Sequence, residues 1–196
     1  MAEFRSMDIN AFWDVIETAR RTGSQGGSFA DALVDRLVSR SKQDILEYQE
    51  RFDEVHDAVY RWDVWAAAYL VGGGCSDDSF IDFRAGLISL GRDWYEKAAA
   101  CPDSLAGHPM VIAAAGLDRD DALFCEEANY AAPEAFRRVT GGVEDFYEAW
   151  RHYQESLGAL AERSAEMGED FDFDDPQEMH RRLPRLASLC LRDSVG

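Results

Sequence analysis

The sequence is short of basic residues, histidines and cysteines, and each shortage excludes a class of function. It carries 20 lysines and arginines against 38 acidic residues, which leaves a formal net charge of −18. Such a chain repels the phosphates of nucleic acids and of anionic membranes, so we expect it to bind neither. Its four histidines are dispersed without an HExxH pattern, so we expect no metal site and no cofactor.

Cysteine usage and hydropathy point to the cytoplasm. The four cysteines are scattered without a CxxC pair, as is typical of reduced thiols. The longest uncharged runs, 64–76 and 104–117, are shorter than the roughly 20 residues that a membrane-spanning helix needs. No basic leader precedes an apolar segment, so we expect no secretory signal and a cytoplasmic location. We interpret residues 1–6, which precede a second methionine, as a cloning remnant.

Apolar residues recur every three or four positions along most of the chain, and strictly alternating runs are absent. This periodicity predicts an all-α fold, a single-domain bundle of about seven to nine helices over residues 7–196. Side chains that accept hydrogen bonds from backbone N–H groups should begin the helices. The predicted caps are Asp8 or Asn10, Ser28, Ser41 with Asp44 as its box partner, Ser76, and Asp175 with Glu178 as its box partner.

The most informative segment covers residues 60–106. A helix beginning near Trp62 carries apolar residues on every side, which is typical of a buried central helix. Gly72–Gly74 should end it, because glycine readily adopts the left-handed conformation that closes helices. The next helix begins after Ser76 and is predicted to run to about Ala100.

The second half of the chain is predicted with looser boundaries. We expect a helix from about Asp120 to residue 132 that Pro133 breaks or restarts, and another that begins at Val143. An acidic loop, 162–175, should precede a C-terminal helix. Its Asp170-x-Asp172-x-Asp174 pattern lacks the glycine and the final glutamate of a calcium-binding EF-hand. The loop is therefore either solvated, stapled to the core by its phenylalanines Phe171 and Phe173, or able to grip a basic partner.

Arg84 is the residue with the strongest expectation of a special role. It falls inside the apolar arc of its helix, and a buried arginine must meet a carboxylate or a ligand anion. Asp63 is similarly placed between Trp62 and Val64, so we predict an Asp63–Arg84 pair, with Asp77 or Asp78 as substitutes. A buried ion pair and a ligand-binding arginine in a cleft both remain open. The candidate ligand-binding residues are Trp62, Asp63, Trp65, Asp77, Asp78, Arg84 and Arg92.

The glycine-rich turn before Ser76 does not predict a phosphate loop. Phosphate loops follow a strand, whereas a helix precedes this turn. Asp77 and Asp78 would also repel a phosphate, and they are better explained as first-turn residues that favour the positive end of the helix dipole. Together with Asp82 they form only a weak candidate for a cation site.

The central block WDVWAAAYLVGGGCSDDSFIDFRAGLISLGR resembles the signature WDxWAAAYxxGGGxSDDSFxDFRxxLIxxGR of an actinobacterial family catalogued as a domain of unknown function. The resemblance extends from the opening MDINAFWDVIETAR to the closing DDPQEMHRRLPRL, or roughly Met7 to Leu191. It implies a short cytosolic chain, and it implies no catalytic assignment.

Three classes of function stay open. No catalytic constellation is visible, so we favour a non-catalytic binding module for a basic protein or a small anionic ligand near the Gly72–Arg92 turn. An enzyme acting on a small anionic substrate would use Arg84 as anchor and a carboxylate as base. An acidic inhibitor or immunity-type protein would neutralise a basic enzyme through unlike charges.

Overall fold

The computed structural model of the chain describes residues 7–24, 27–115, 123–158 and 166–191, and the regular structure in these ranges is entirely helical. The elements are α1 (Ile9–Gly23), α2 (Phe29–Val38), α3 (Lys42–Ala58), α4 (Trp62–Gly72), α5 (Asp77–Ser89), α6 (Arg92–Ala100), a 3₁₀ helix (Pro102–Gly107), α7 (Pro109–Ala114), α8 (Glu126–Asn129), α9 (Ala131–Thr140), α10 (Phe146–Leu157), α11 (Pro176–Arg182) and α12 (Pro184–Cys190). The predicted all-α class is confirmed, whereas the predicted number of helices is too low. None of these described helices is both long and apolar enough to cross a membrane.

The structure has more helices than predicted, because glycine and proline residues divide segments whose apolar periodicity predicts one continuous helix. The helix predicted from Ser76 to Ala100 ends at Ser89, and Gly91 separates it from α6. Gly91 has a φ of 85°, a conformation that other residues adopt only with strain. Pro184 begins α12 directly after α11, because proline lacks the N–H that would continue the preceding helix.

The predicted boundaries in the second half of the chain are partly confirmed. Pro133 restarts a helix, which is one of the two predicted outcomes, because it lies in the first turn of α9, where an N–H has no intrahelical acceptor. The helix predicted from Val143 begins at Phe146, with Asp145 as its cap, and the Val143 side chain is 87% exposed. The start predicted at Asp120 lies outside the described residues.

The predicted N-terminal capping residues are confirmed, apart from one of the two box partners, because capping depends on residues only two or three positions apart. The side chains that accept backbone N–H groups at helix starts include Asp8, Ser28, Ser76 and Asp175. Ser41 and Asp44 form a reciprocal box, in which each side chain accepts the other's backbone N–H. The box predicted for Glu178 is wrong, since its carboxylate pairs with Arg181 and Arg182 instead.

One compact unit comprises the described residues of Met1–Val55 and Glu127–Ser164. Within it α2 packs against both α1 and α9. Phe12 of α1 stacks on Tyr48 of α3 with ring centroids 5.3 Å apart, and both side chains are fully buried. Stacked aromatic rings of this kind are large contributors to a helical core.

The second compact unit comprises the described residues of His56–Glu126 and Ala165–Gly196. In it α12 packs against α4 and against the 3₁₀ helix. The buried carboxylate of Asp103, in the 3₁₀ helix, accepts the backbone N–H groups of Arg185 at 3.0 Å and Leu186 at 2.9 Å. Asp103 therefore caps α12, which has no side-chain cap from its own sequence. The expectation of a single domain stays a prediction.

Candidate functional site

One face of α4 carries a row of half-buried aromatic side chains. Trp62, Trp65 and Tyr69 recur at positions i, i+3 and i+7, which places them on the same side of the helix. The rings of Trp62 and Trp65 stack almost in parallel, with centroids 5.4 Å apart and an angle of 7°. The prediction that α4 is buried on every side is therefore wrong, because these three residues stay partly exposed. We call Trp62, Trp65 and Tyr69 the aromatic face.

Phe80 of α5 links the aromatic face to the core of this unit. Its buried ring stacks on Trp65 with centroids 4.8 Å apart, and on Tyr60 with centroids 5.9 Å apart. The indole N–H of Trp65 also donates a hydrogen bond of 3.0 Å to the carbonyl of Cys75. These contacts join α4 to the turn that follows it and to α5, and they hold the Trp65 indole in one orientation.

An acidic segment, residues 166–175, lies against the aromatic face, and we call it the acidic strap. The ring of Phe173 contacts Trp62, Trp65 and Tyr69, with centroid distances of 6.0, 6.4 and 5.6 Å. Phe171 packs edge-on against Phe173 at 5.1 Å. Of the alternatives left open for the acidic loop 162–175, these contacts favour stapling by the phenylalanines, here onto the aromatic face of α4. Residues 162–165 of that predicted loop lie outside the described residues.

Polar contacts also hold the strap in place. The backbone N–H of Trp62 donates a hydrogen bond of 2.9 Å to the carbonyl of Met167. The Tyr69 hydroxyl donates to the carboxylate of Asp174, and this bond raises the pKa of Tyr69. Arg182 of α11 pairs with Glu169 at 2.9 Å, and its guanidinium lies over the ring of Phe171.

Most of the acidic residues of the strap are exposed to solvent. The exposed acidic residues of the strap are Glu166, Glu169, Asp170, Asp172 and Asp174. The half-buried rings thus lie beside a group of exposed negative charges. Ammonium and guanidinium groups bind both to carboxylates and to the faces of tryptophan rings. This combination suits a cationic ligand better than an anionic one.

Arg84 is buried as predicted, but its predicted partner is wrong. The guanidinium lies over the rings of Tyr60 and Phe80, at 4.7 and 5.1 Å from their centroids. It donates to the backbone carbonyl of His56 at 3.2 Å, and it lies 3.7 Å from the carboxylate of Asp57. Within the described part of the chain, Asp57 is the carboxylate within ion-pair distance of Arg84. Burial lowers the pKa of Arg84, and the Asp57 charge opposes that shift.

The carboxylates predicted to reach Arg84 are engaged or located elsewhere. Asp63 accepts two hydrogen bonds of 3.0 Å from Arg61, which also donates to the carbonyl of Ala99. Asp77 and Asp78 are exposed in the first turn of α5. Phe80 therefore connects Arg84 to Trp65, on which Trp62 stacks. None of these three aspartates lies within ion-pair distance of Arg84 in the described part of the chain.

The remaining candidate, Arg92, pairs with a residue of its own helix. Its Nε lies 2.6 Å from the carboxylate of Glu96, one turn along α6. Pairs of this kind between exposed side chains contribute only a few tenths of a kcal/mol. The local pair thus accounts for the position of Arg92 without a ligand.

Sequence reasoning assigns no role to Tyr69, Tyr60 or Asp57. Tyr69 had a usable signal, since it continues the i, i+3, i+7 row begun by Trp62 and Trp65. Tyr60 and Asp57 had none, because they lie at the end of α3 and just beyond it, where the chain leaves the helical periodicity. Their contact with Arg84 is visible only in the tertiary structure.

His56 is buried next to Arg84. Its Nε2 donates a hydrogen bond of 3.0 Å to the carbonyl of Ile81. Burial, and then the positive charge of Arg84, lower the pKa of His56 from 6.5 to about 4, although the bond to Ile81 works in the opposite direction. The imidazole is therefore neutral at physiological pH.

The depressed pKa of His56 predicts a specific acid sensitivity. As the pH falls below 6.5, the unfolded chain binds a proton at His56 before the folded chain does. The stabilisation is fully present above pH 6.5 and is lost as the pH falls towards 4, by about 3 kcal/mol in total. We expect the His56→Gln variant to lose about 2 kcal/mol less than the wild type between about pH 7 and pH 5, as measured by urea unfolding.

The control for this prediction is His180→Gln, which removes an exposed imidazole from α11. Carboxylates contribute to acid sensitivity in all three proteins, so the comparison isolates the imidazole of His56. Equal pH dependence of the wild type and His56→Gln would show that His56 is solvated rather than buried.

The structure offers little for nucleophilic or metal chemistry in the described ranges. Burial raises the pKa of the Cys75 thiol to about 12, so a thiolate is scarce at neutral pH. Across the described residues, no group of three or more histidine, cysteine or acidic side chains is placed to hold a metal ion.

Comparison with known proteins gives one match. A family model described as "Protein of unknown function (DUF4240)" matches residues 7–138. No curated protein and no solved structure matches the chain. The match confirms the resemblance to a family of unknown function, and it carries no activity, ligand or partner.

Proposed function

We propose that this chain, which belongs to the family described as protein of unknown function (DUF4240), is a non-catalytic module that binds a basic segment of a partner protein. The observation that carries the proposal is the aromatic face of α4 lying beside the exposed carboxylates of the acidic strap. Both features favour binding of a lysine or arginine side chain, whose apolar stem can pack on the aromatic rings and whose cationic end can pair with the carboxylates.

The charge of the whole chain supports a basic partner. A formal net charge of −18 attracts basic proteins over a distance and accelerates their encounter with the acidic surface. Half-buried tryptophan and tyrosine side chains are enriched at protein interfaces, because they bury a large area while losing little conformational freedom. Charge thus supplies attraction, and the aromatic face supplies contact area.

The contacts of Arg84 argue against the two anion-based alternatives. A small anionic ligand and an enzyme substrate would both need an accessible Arg84. Its guanidinium is enclosed by Tyr60 and Phe80 and already has the His56 carbonyl and Asp57 as partners. A structural role for Arg84 explains these contacts without a ligand.

An oligolysine peptide tests the proposal by calorimetry at about 0.15 M salt, where charges more than about 8 Å apart are screened. We expect the wild type to bind it and the double variant Asp170→Asn/Asp172→Asn to bind about three- to ten-fold more weakly. Both aspartates are exposed, and asparagine at position 172 can still accept the backbone N–H of Asp174.

The matched control is Asp14→Asn/Asp31→Asn, which removes two exposed charges from α1 and α2. It changes the net charge equally, so it should bind oligolysine almost as well as the wild type. If both double variants bound oligolysine equally weakly, the binding would depend only on net charge and not on the strap. Absence of binding by the wild type would contradict the proposal outright.

The remaining expectations from the sequence stay proposals. They are the actinobacterial origin, the cytoplasmic location, the lack of a cofactor and the lack of binding to nucleic acid or membranes. An acidic inhibitor of a basic enzyme would use the same charge complementarity, but it would need the folded enzyme rather than a basic peptide.

A further inference from the structure

The acidic strap covers the surface that the proposed partner would contact. Phe173 lies against all three members of the aromatic face, so its ring occupies the position that an incoming side chain would take. The rings of Trp62 and Trp65 are consequently only partly accessible while the strap is in place.

The side-chain anchors of the strap use groups that a basic ligand also binds. Glu169 pairs with Arg182, and Asp174 accepts the Tyr69 hydroxyl. A lysine or arginine that binds either carboxylate competes with these internal partners. The exposed carboxylates of the strap also repel one another, which weakens its attachment. Ligand binding and strap attachment are therefore opposed, and the opposition is reciprocal.

We infer that the acidic strap is an internal ligand of the aromatic face. A basic segment of the partner displaces the strap by binding the strap carboxylates. This inference rests on the proposed function and adds its regulation. In the closed state the strap masks Trp62, Trp65 and Tyr69, and in the displaced state these rings become available to the partner.

Hydrogen exchange at two backbone amides reports the state of the strap. Trp62 is the first residue of α4, where an amide has no intrahelical acceptor, so the carbonyl of Met167 is its partner. The amide of Trp65 bonds to the carbonyl of Arg61 and reports the integrity of the helix itself. We expect oligolysine to accelerate exchange at Trp62 by about ten-fold and to leave Trp65 unchanged.

Two variants that loosen the strap should strengthen the binding of oligolysine. Phe173→Ala removes the ring contacts of the strap and should tighten binding by about five-fold or more. Tyr69→Phe keeps the ring but frees Asp174, and it should tighten binding by about two- to five-fold. Tyr147→Phe, at an exposed tyrosine of α10, is the matched control and should leave binding unchanged.

The outcomes separate this inference from the proposed function. If oligolysine binds but the Trp62 amide exchanges as slowly as in the free protein, or if both variants bind oligolysine more weakly than the wild type, the strap is not displaced. The proposed binding of a basic segment would still stand in either case. Absence of binding overturns both. Faster exchange at Trp62 together with tighter binding by the two variants establishes the strap as a competing internal ligand.

Discussion

Replacing Gly86 with alanine is expected to destabilise the fold by about 3 kcal/mol or more. A β-carbon at this position of α5 would lie 1.6 Å from the carbonyl oxygen of Leu123 and 2.6 Å from its carbonyl carbon. Both are backbone atoms, so no side-chain rotation relieves the overlap. The segment is held close to α5 by a 3.1 Å hydrogen bond from the Cys125 N–H to the carbonyl of Asp82.

Chemical denaturation of Gly86→Ala, followed by circular dichroism, measures this effect. The control is Gly107→Ala, because a β-carbon there would meet the Arg185 side chain at 3.4 Å, an ordinary contact. We expect the control to cost less than about 1 kcal/mol. If Gly86→Ala were as stable as the wild type, Leu123 would not pack directly on α5.

Replacing Arg84 with alanine is expected to cost about 2–4 kcal/mol, through lost packing more than through lost charge. The side chain fills the space beside Tyr60 and Phe80, and it satisfies the carbonyl of His56. The Asp57 side chain is 53% exposed and can be hydrated when the arginine is absent. Asp57→Asn should therefore cost less than about 1 kcal/mol, as expected for a pair with one solvated member.

Two further variants separate packing from charge at this position. Arg84→Met keeps most of the side-chain volume, so we expect it to be more stable than Arg84→Ala in the same urea titration. Arg84→Lys keeps the charge but loses the planar group that lies over the two rings, so it should not restore wild-type stability. A free energy of unfolding unchanged by Arg84→Ala would refute the enclosed position of the guanidinium.

The elements that could be predicted from the sequence are those that depend on near neighbours. The capping residues Asp8, Ser28 and Ser76 were predictable because each accepts an N–H two or three positions ahead. The end of α4 was predictable because Gly73 adopts a left-handed conformation, with a φ of 66°, that few other residues adopt. The break after Ser89 was missed, since a single glycine within a helical pattern is also compatible with a continuous helix.

The candidate site was only partly predictable. The sequence singled out Trp62, Trp65 and Arg84, because aromatic residues and a charge interrupt otherwise regular patterns, and their role as ligand-binding residues stays a prediction. It paired Arg84 with Asp63, but Asp63 has the closer partner Arg61 two positions away. The role of Phe173 was anticipated as a staple, but its contact with α4 depends on the path of a segment without periodicity.

By itself, the sequence determined that this protein is helical, where α1 to α5 and α11 begin, and that the chain is strongly acidic. These properties follow from side-chain chemistry and from interactions over one helical turn. Only the tertiary structure decided which carboxylate reaches Arg84, that Asp103 caps α12, and that Phe173 covers the aromatic face. Such contacts join residues far apart in the chain, and they depend on how all the helices of a unit pack together rather than on any local spacing.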